Sequence, residues 1–545
     1  MSQLSNLASR SKSWSTSSRV ELAKSCIQAV ESDAWSTAGN WLKHSADIEK
    51  VPANERLKYG SQLRFVMGTT VKSFLEAYIR SCSPNATVDV TKPTSLGPGA
   101  PGITFQVVTE TDTPAASAAA AEECLRATPG TVTVVLGVGN QPFLTLVDTL
   151  QRVFYYGETV LIKQHPLRSY LQHPYRVLLA PLIADNVVHM VQDEGIPATV
   201  AILKDPRVGH VHMTGAEKTA HAIERTLAEN PSSPALTSEL GCSTPWILTP
   251  AVYTEAELKK AALAAVVQKK LNGGSNCLDL QVLVIGSDWD QKKEFLEEVK
   301  IQCMATDTPV CYYPGVAKTY KDMKSHYEQK GKALLSGTTD NDVTIVDCGV
   351  YGSHDFDNYA TVNEAFCPIL AWVEVEGGLP AMVDFCNSEE VCGSLSCALL
   401  SPKSADAEQV EAALARLQFG TVAHNISQLL GYTTLGLGGM WGAYPGESRS
   451  GVGVVGNLYG VKGAVKQIVR NNNGLAKILT DVSIPPVVAD VLHKALNVGG
   501  GKLGVVGTLG RVWWMLVRRA VHNVGLTVKL IDSDARLPGS AVIAE

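Results

Sequence analysis

Residues 131–163, TVTVVLGVGNQPFLTLVDTLQRVFYYGETVLIK, decide the fold class. A β-branched run at 131–137 is followed by a helical pattern at 142–154 and by a second short strand at 159–163. Short strands that alternate with helices predict a parallel sheet covered by helices on both faces. Sheets of this kind bind their ligands beyond the carboxyl ends of the strands.

The alternation continues on both sides of this stretch, after a helical region at 20–79 and a loop at 83–102. Further strands are predicted at 103–108, 199–203, 208–213, 246–248, 280–285, 343–347, 369–375 and 398–400. Further helices are predicted at 115–126, 170–192, 216–227, 255–270 and 289–302. Two consecutive α/β blocks predict two domains with a cleft between them.

Bulk composition excludes several classes of protein. The 545 residues are 45% hydrophobic and 18% charged, which is typical of a well-packed globule. A net charge of −6 argues against a nucleic-acid binder, because phosphate neutralisation needs an excess of Lys and Arg. No membrane span is predicted, since the apolar stretch 505–530 contains Arg511, Arg518 and Arg519. The twelve cysteines form no paired zinc-binding pattern, so we expect no metal site and a reducing, cytoplasmic location.

The first 19 residues are rich in serine, carry Arg10, Lys12 and Arg19, and contain no acidic residue. One interpretation is a frayed, disordered tail. The alternative is a targeting segment for import into an organelle, because transit peptides share this composition.

The segment Asn272–Gly273–Gly274–Ser275–Asn276–Cys277 is the strongest local signal for chemistry. A cysteine at a glycine-rich turn can serve as a nucleophile, and converging backbone N–H groups can stabilise an oxyanion. The alternative is a structural thiol, which is the usual role of a single cysteine.

The segment also resembles a motif of the aldehyde dehydrogenase superfamily, and five further motifs follow the family's order. The six are N-x-G-Q-x-C at 272–277, L-E-L-G-G-x-x-P at 238–245, P-W-N-x-P at 139–142, T-V-V-x-K-P at 159–163, F-T-G-S at 213–216 and E-x-F-G-P at 364–368. The intervals of 23 residues from Asn140 to Lys163, 38 from Glu239 to Cys277 and 87 from Cys277 to Glu364 are close to those of the family.

The resemblance implies a role for each of three residues in catalysis. Cys277 would attack the aldehyde carbon as a thiolate and form a thiohemiacetal, then a thioester. The side-chain amide of Asn140 and the backbone N–H of Cys277 would hold the oxyanion. Glu239 would be the general base that activates water for hydrolysis. Without the resemblance, Glu239 is an ordinary capping or solvated acid and Asn140 a turn former.

The resemblance further implies NAD or NADP as the cofactor that accepts a hydride. Its binding residues would be Lys163, Gly215, Glu364 and Phe366. The family's acidic residue three positions after the lysine is Pro166 here, which leaves the choice between NAD and NADP open. Other departures are Gly139, Ala220 and Cys367, and the "P-F-G-G" motif has only a loose counterpart at 436–439.

The sequence thus predicts a two-domain, aldehyde dehydrogenase-like α/β fold with a Rossmann-like nucleotide-binding domain. The predicted parts are a tail at 1–19, a nucleotide-binding domain at 20–241, a catalytic domain at 242–440 and a C-terminal region with an oligomerisation element at 441–545. The predicted function is NAD(P)-dependent oxidation of a small aldehyde by a homodimer or homotetramer. Two alternatives stay open: an acyl-CoA or acyl-phosphate reductase, and a non-catalytic scaffold that retains the fold.

Overall fold

Two β-sheets with parallel centres organise the chain in its computed structural model. The structure describes residues 2–83, 88–97, 100–110, 130–192, 194–306, 309–446 and 449–478. The strands are β1 (Thr94–Ser95), β2 (Ile103–Thr109), β3 (Val132–Leu136), β4 (Val160–Lys163), β5 (Val188–Val191), β6 (Val208–Thr214), β7 (Ala235–Glu239), β8 (Pro245–Leu248), β9 (Val282–Gly286), β10 (Ala333–Leu335), β11 (Thr344–Val350), β12 (Ile369–Val375), β13 (Ser396–Leu400), β14 (Thr421–His424), β15 (Met440–Gly442), β16 (Gly451–Val452), β17 (Val454–Gly456) and β18 (Ala464–Asn471).

Helices cover both sheets. The α-helices are α1 (Ser2–Ser11), α2 (Thr16–Glu31), α3 (Trp41–Ile48), α4 (Arg56–Ser81), α5 (Leu144–Leu150), α6 (Gln172–Leu178), α7 (Ala180–Ala184), α8 (Ile196–Leu203), α9 (Glu217–Leu227), α10 (Glu255–Lys270), α11 (Lys292–Ala305), α12 (Val316–Glu328), α13 (Tyr359–Val362), α14 (Gly378–Cys386), α15 (Ala407–Arg416) and α16 (Leu429–Thr433). Short 3₁₀ segments cover Ala34–Asn40, Pro166–Leu171, Leu271–Gly274, Thr434–Leu437 and Leu475–Lys477, and a π-helical turn covers Gln151–Tyr155.

The smaller sheet has six strands in the order β16-β7-β6-β3-β4-β5. All pairs are parallel except β16 with β7. The chain runs outward from β3 to β4 and β5, then returns beside β3 with β6. This reversal of strand order is the topological switch point at which α/β sheets bind ligands. The switch point lies between β3 and β6, so the stretch that decides the fold class supplies β3, one of the two strands that flank this site.

The larger sheet has ten strands in the order β1-β2-β18-β14-β13-β8-β9-β12-β11-β10. Its seven central strands, from β18 to β11, are parallel, and β1, β2 and β10 add antiparallel edges. Each sheet is completed by a strand from a distant part of the sequence. The larger sheet includes β2, which comes before the strands of the smaller sheet in the chain, and the smaller sheet includes β16, which comes after most strands of the larger sheet. A third pair, β15 with β17, is antiparallel.

The N-terminal residues differ from the predicted disordered tail. Residues Ser2–Ser11 form α1, and its Leu4 and Leu7 are buried with Val132, Val134 and Leu161 of the smaller sheet. Arg10 adds an ion pair with Asp185 at 2.6 Å. Burial of two leucines explains why this serine-rich segment is ordered, because about 1.5–3 kcal/mol accompanies each fully buried leucine.

Two predicted elements on one side of the smaller sheet are wrong. The helix predicted at 170–192 is broken, and its last residues form the strand β5. The strand predicted at 199–203 is the second half of the helix α8. Its valine and isoleucines favour a strand, but Gly195 before the helix and Pro197 in its first turn favour helix initiation. The helix predicted at 115–126 lies outside the described residues.

The other predicted strands and helices agree with the structure within a few residues. The helix α10 has the predicted bounds because Thr254 and Glu257 form a reciprocal capping box at its start. Within the described ranges, no helix combines the length and the apolar character needed to cross a membrane. The predicted oligomerisation element at 441–545 falls mostly beyond residue 478, where the description ends.

Candidate active site

The turn that carries Cys277 follows α10 and has an unusual backbone. Asn272, Gly273 and Gly274 have φ values of 55°, 63° and 77°, which is the left-handed region. A Cβ at Gly274 would lie 2.7 Å from the carbonyl carbon of Cys367, so only glycine fits there. The glycines of the motif therefore allow the turn to reverse direction against the segment that contains Glu364 and Phe366.

Cys277 and Glu239 are in direct contact. The thiol Sγ of Cys277 donates a hydrogen bond to Oε1 of Glu239 at 3.2 Å. Burial raises the pKa of Cys277 well above its usual range, and the negative charge of Glu239 raises it further. Burial and the charge of Asp148 raise the pKa of Glu239 to about 7. A carboxylate that accepts from a thiol and titrates near neutrality can act as a base at physiological pH.

Asn140 lies on the opposite side of the same turn. Its Nδ2 donates to the carbonyl of Ser275 at 3.2 Å, two residues before Cys277. Its Oδ1 is buried and accepts no hydrogen bond. The neighbouring Gln141 donates to Oδ1 of Asn276 at 2.7 Å. The loop after β3 is thus joined to the turn of Cys277 by hydrogen bonds from its side chains. The structure brings Asn140, Glu239 and Cys277 together.

Arg168 fixes the loop that carries Asn140, although the sequence analysis did not single it out. The guanidinium is fully buried and donates to the carbonyls of Gly139, at 2.8 Å, and Asn140, at 3.0 Å. It pairs with Glu49 at 2.6 Å. Tyr312 also donates to the Asn140 carbonyl, at 2.9 Å. We call Glu49, Arg168 and Tyr312 the clamp. It draws on three segments far apart in sequence, so no spacing pattern predicts it.

The predicted cofactor residues Lys163 and Gly215 lie at the carboxyl ends of β4 and β6. The carbonyl of Lys163 accepts from the backbone N–H of Gly137, at 2.8 Å, and Gly215 donates to the carbonyl of Glu239 at 3.0 Å. Gly215 directly precedes the first turn of α9, where backbone N–H groups face away from the helix. Gln164, next to Lys163, is 2% exposed, and its amide has no hydrogen-bond partner.

The other two predicted cofactor residues, Glu364 and Phe366, lie in the segment that leads from α13 into β12 of the larger sheet. Oε1 of Glu364 accepts from the backbone N–H of Cys242 at 3.3 Å, and a Cβ at Gly241 would meet Glu364 Oε2 at 2.0 Å. Burial raises the pKa of Glu364 to about 8. Phe366 has a φ of 51°, and its carbonyl accepts from Oγ of Ser275 at 3.4 Å. Both residues therefore lie against the loops of Glu239 and Cys277.

Asp148 is a second residue that the sequence analysis did not single out. It lies on α5, is 3% exposed and accepts from Oγ1 of Thr214 at 3.2 Å. The signal was present, because Asp148 is the one acid in the helical pattern at 142–154, which is otherwise largely apolar. A buried acid beside a cleft is a candidate for a functional role.

Comparisons with known proteins identify the family and the fold. The model of the aldehyde dehydrogenase family matches residues 105–462. No curated protein matches the chain in sequence. Among solved structures, the fold is similar to an NADP-dependent glyceraldehyde-3-phosphate dehydrogenase from Bacillus halodurans C-125 complexed with NADP, with 15% identity and a TM-score of 0.59 over 86% of this chain and 89% of that one.

Two further structures show the same likeness. One is the glyceraldehyde-3-phosphate dehydrogenase GapN from Methanocaldococcus jannaschii DSM 2661 complexed with NADP, with 15% identity and a TM-score of 0.59 over 86% of this chain and 92% of that one. The other is an indole-3-acetaldehyde dehydrogenase complexed with NAD+, with 16% identity and a TM-score of 0.54 over 83% and 88%. At these identities the likeness concerns the fold, and it confirms the predicted α/β class.

Proposed function

Since the chain belongs to the aldehyde dehydrogenase family, we propose that it oxidises an aldehyde to the carboxylic acid with NAD or NADP as hydride acceptor. The family match confirms the resemblance drawn from the six motifs. We further propose which residues perform the reaction and how the acyl group is released.

The observation that carries the proposal is the hydrogen bond from Cys277 to Glu239, at 3.2 Å. In the first half-reaction, Glu239 accepts the thiol proton and the thiolate attacks the aldehyde carbon, which gives a thiohemiacetal on Cys277. The developing oxyanion would be stabilised by the backbone N–H of Cys277 and the amide of Asn140. For Asn140 to do so, its Nδ2 turns from the Ser275 carbonyl toward the substrate.

In the second half-reaction, Glu239 acts on water. Loss of hydride from the thiohemiacetal leaves a thioester on Cys277, and Glu239 removes a proton from the water that attacks this thioester. A pKa of about 7 suits both transfers, because the same carboxylate must accept a proton at neutral pH and later release it. This placement favours hydrolysis over acyl transfer to CoA or phosphate, neither of which needs a base for water.

The residues at the sheet's switch point fit a dinucleotide. Bound NAD(P)+ supplies the hydride acceptor, which no side chain can replace. We propose that Lys163 and the buried, unpaired amide of Gln164 bind the adenosine half, while Gly215 leaves room for the pyrophosphate before α9. Glu364 and Phe366 would hold the nicotinamide half, since they lie against the turn of Cys277. The neighbours complexed with NADP and with NAD+ support either cofactor.

The test follows the absorbance of reduced nicotinamide with purified protein, NAD or NADP, and short, long and aromatic aldehydes. We expect Cys277→Ser to lower kcat by at least about 10³-fold, because it removes the nucleophile of a covalent mechanism. The matched control is Cys303→Ser, a part-buried thiol on α11 whose loss should leave the rate unchanged. Full activity in Cys277→Ser would refute the covalent mechanism.

A further inference from the structure

One face of the smaller sheet is polar and buried along two adjacent strands. Side chains two residues apart on a strand share a face, so His210, His212 and Thr214 of β6 lie on the same side. On β7 the register places Thr237 opposite His212 and Glu239 opposite Thr214. This polar face therefore begins at the base Glu239 and runs along the sheet away from Cys277.

The side chains of this face are linked to one another. Nδ1 of His212 and Oγ1 of Thr237 lie 2.9 Å apart, and the same Oγ1 lies 3.0 Å from Nε2 of His210. A threonine hydroxyl can donate to one ring and accept from the other at the same time. The two imidazoles are thus joined through a single oxygen, in a path that can carry a proton in either direction.

The outer end of the path meets the π-helical turn. Arg152, on that turn, contacts Nδ1 of His210 and forms two hydrogen bonds of 2.6 Å with Glu158, whose Oε1 lies 3.4 Å from the same Nδ1. The side chain of Glu158 is 14% exposed, so this end reaches the protein surface. Burial lowers the pKa of His210, against the opposing effect of the Glu158 carboxylate, so a proton that arrives there is readily lost.

The inner end of the path meets Asp148. Nε2 of His212 lies 3.5 Å from Oδ1 of Asp148 and makes no hydrogen bond, although His212 is only 6% exposed. Both residues line a small cavity of about 10 Å³, together with Gln151, Thr237 and Val454. Thr214, the neighbour of Glu239 across the strands, donates to the other carboxylate oxygen of Asp148 at 3.2 Å. A polar cavity with these partners can hold a bridging water.

The proposed reaction needs such a path. Oxidation of RCHO with NAD(P)+ and H2O gives RCOO−, NAD(P)H and two protons, and Glu239 accepts protons in both half-reactions. Glu239 is 7% exposed, so it has little direct contact with solvent through which to discharge them. Resting on the proposed function, we infer that Asp148, His212, Thr237 and His210 form a proton-exit route from Glu239 to the surface at Glu158.

Each step of the route breaks one bond to hydrogen and forms another. The proton of Glu239 passes to Oγ1 of Thr214, whose own proton moves to Asp148, and a water in the cavity carries a proton from Asp148 to Nε2 of His212. Nδ1–H of His212 then protonates Oγ1 of Thr237, whose own proton moves to Nε2 of His210. Nδ1–H of His210 passes to Oε1 of Glu158, 3.4 Å away, and from there to solvent, so one proton enters the route and one leaves. These four side chains touch neither substrate nor cofactor, and they act by carrying protons for Glu239.

The test replaces Thr237 by Val and by Ser, which differ in the hydroxyl that joins the rings. The probe is 4-nitrophenyl acetate, which acylates Cys277 without a cofactor and leaves an acyl-enzyme that Glu239 must hydrolyse. We expect Thr237→Val to leave the burst of 4-nitrophenol unchanged while steady turnover falls at least roughly tenfold. Thr237→Ser should retain turnover. Thr421→Val, a buried threonine on β14 of the larger sheet, is the matched control.

The solvent deuterium isotope effect separates proton transfer from a structural effect, and on turnover it should be larger in Thr237→Val than in Thr237→Ser. Equal turnover in the Val and Ser variants, or an equal loss of burst and turnover, would overturn the route. If the protein oxidises no aldehyde but the ester assay shows the Val–Ser difference, the proposed function fails and the route stands. A protein inactive in both assays overturns both.

Discussion

The two sides of Glu239 are built differently. In front of it, the clamp holds the loop of Asn140 with all three guanidinium nitrogens of Arg168 engaged, through bonds of 2.6–3.0 Å to two carbonyls, Glu49, Tyr170 and Tyr312. Behind it, the polar face contains a cavity, a 3.5 Å separation between His212 and Asp148, and a ring nitrogen without a partner.

The difference follows from what each side must do. An oxyanion site stabilises charge only if its donors are already in position, so it is an advantage there that several hydrogen bonds hold the same loop. A proton path needs groups that change partners during each turnover, and fully satisfied hydrogen bonds would resist such changes. The fixed hydrogen bonds in front of Glu239 thus suit an oxyanion site. The incomplete hydrogen bonds behind it suit a proton path.

Loss of the clamp's cation should have the largest effect. Arg168→Met leaves Glu49 buried and unpaired and removes the donors to the Gly139 and Asn140 carbonyls. We expect a loss of about 3–5 kcal/mol in the free energy of unfolding, the usual result of removing one partner of a buried pair. Chemical denaturation followed by tryptophan fluorescence measures it.

The double variant Arg168→Met with Glu49→Gln tests whether the clamp serves catalysis or only stability. Removing both charges should recover much of the lost stability, because no unpaired charge remains. The rate should stay low, since the carbonyls of the Asn140 loop still lack their donors. Recovery of kcat together with stability would show that the clamp has no part in positioning Asn140.

A smaller effect is expected for Tyr312→Phe, which keeps the ring and removes the hydroxyl. This hydroxyl donates to the Asn140 carbonyl at 2.9 Å and accepts from Asn272 at 3.2 Å. Loss of a buried hydrogen bond costs about 0.5–1.5 kcal/mol, so we expect kcat to fall about two- to tenfold. Tyr253→Phe, between β8 and α10, removes a comparable buried hydroxyl and should lower stability without changing kcat. An equal loss of kcat in both variants would contradict a specific role of Tyr312.

Local sequence predicted the fold wherever one signal dominated. The β-branched core of β3 and the capping box of α10 are examples, because the residues that specify each element lie within it. The reversed assignment of β5 and α8 has the opposite cause. The helix α8 buries only Leu203, so its apolar residues say little about periodicity, and Gly195 and Pro197 decide the outcome instead.

The residues of the candidate site also fall into those that local sequence predicts and those that it does not. Asn140 and Cys277 lie in loops and Glu239 ends β7, and because all three have motif spacing the sequence analysis named them. The clamp could not be predicted, since Arg168 and Glu49 are 119 residues apart in sequence. The polar face left a partial trace, because His210 and His212 alternate on one predicted strand. Their link through Thr237 depends on the register of β6 with β7, which no local pattern gives.

The smallest predicted effect concerns the charge behind Glu239. Burial is the main cause of the raised pKa of Glu239, about 7, and the charge of Asp148 is the second. Asp148→Asn removes the second cause, so we expect the acid limb of the kcat/KM profile to move to lower pH by less than about one unit. The sign follows from the role of Glu239 as a base, which is active above its pKa. Glu411→Gln, a change of equal charge at an exposed residue of α15, should leave the limb in place. A shift to higher pH in Asp148→Asn would mean that Asp148 does not act on Glu239 through its charge.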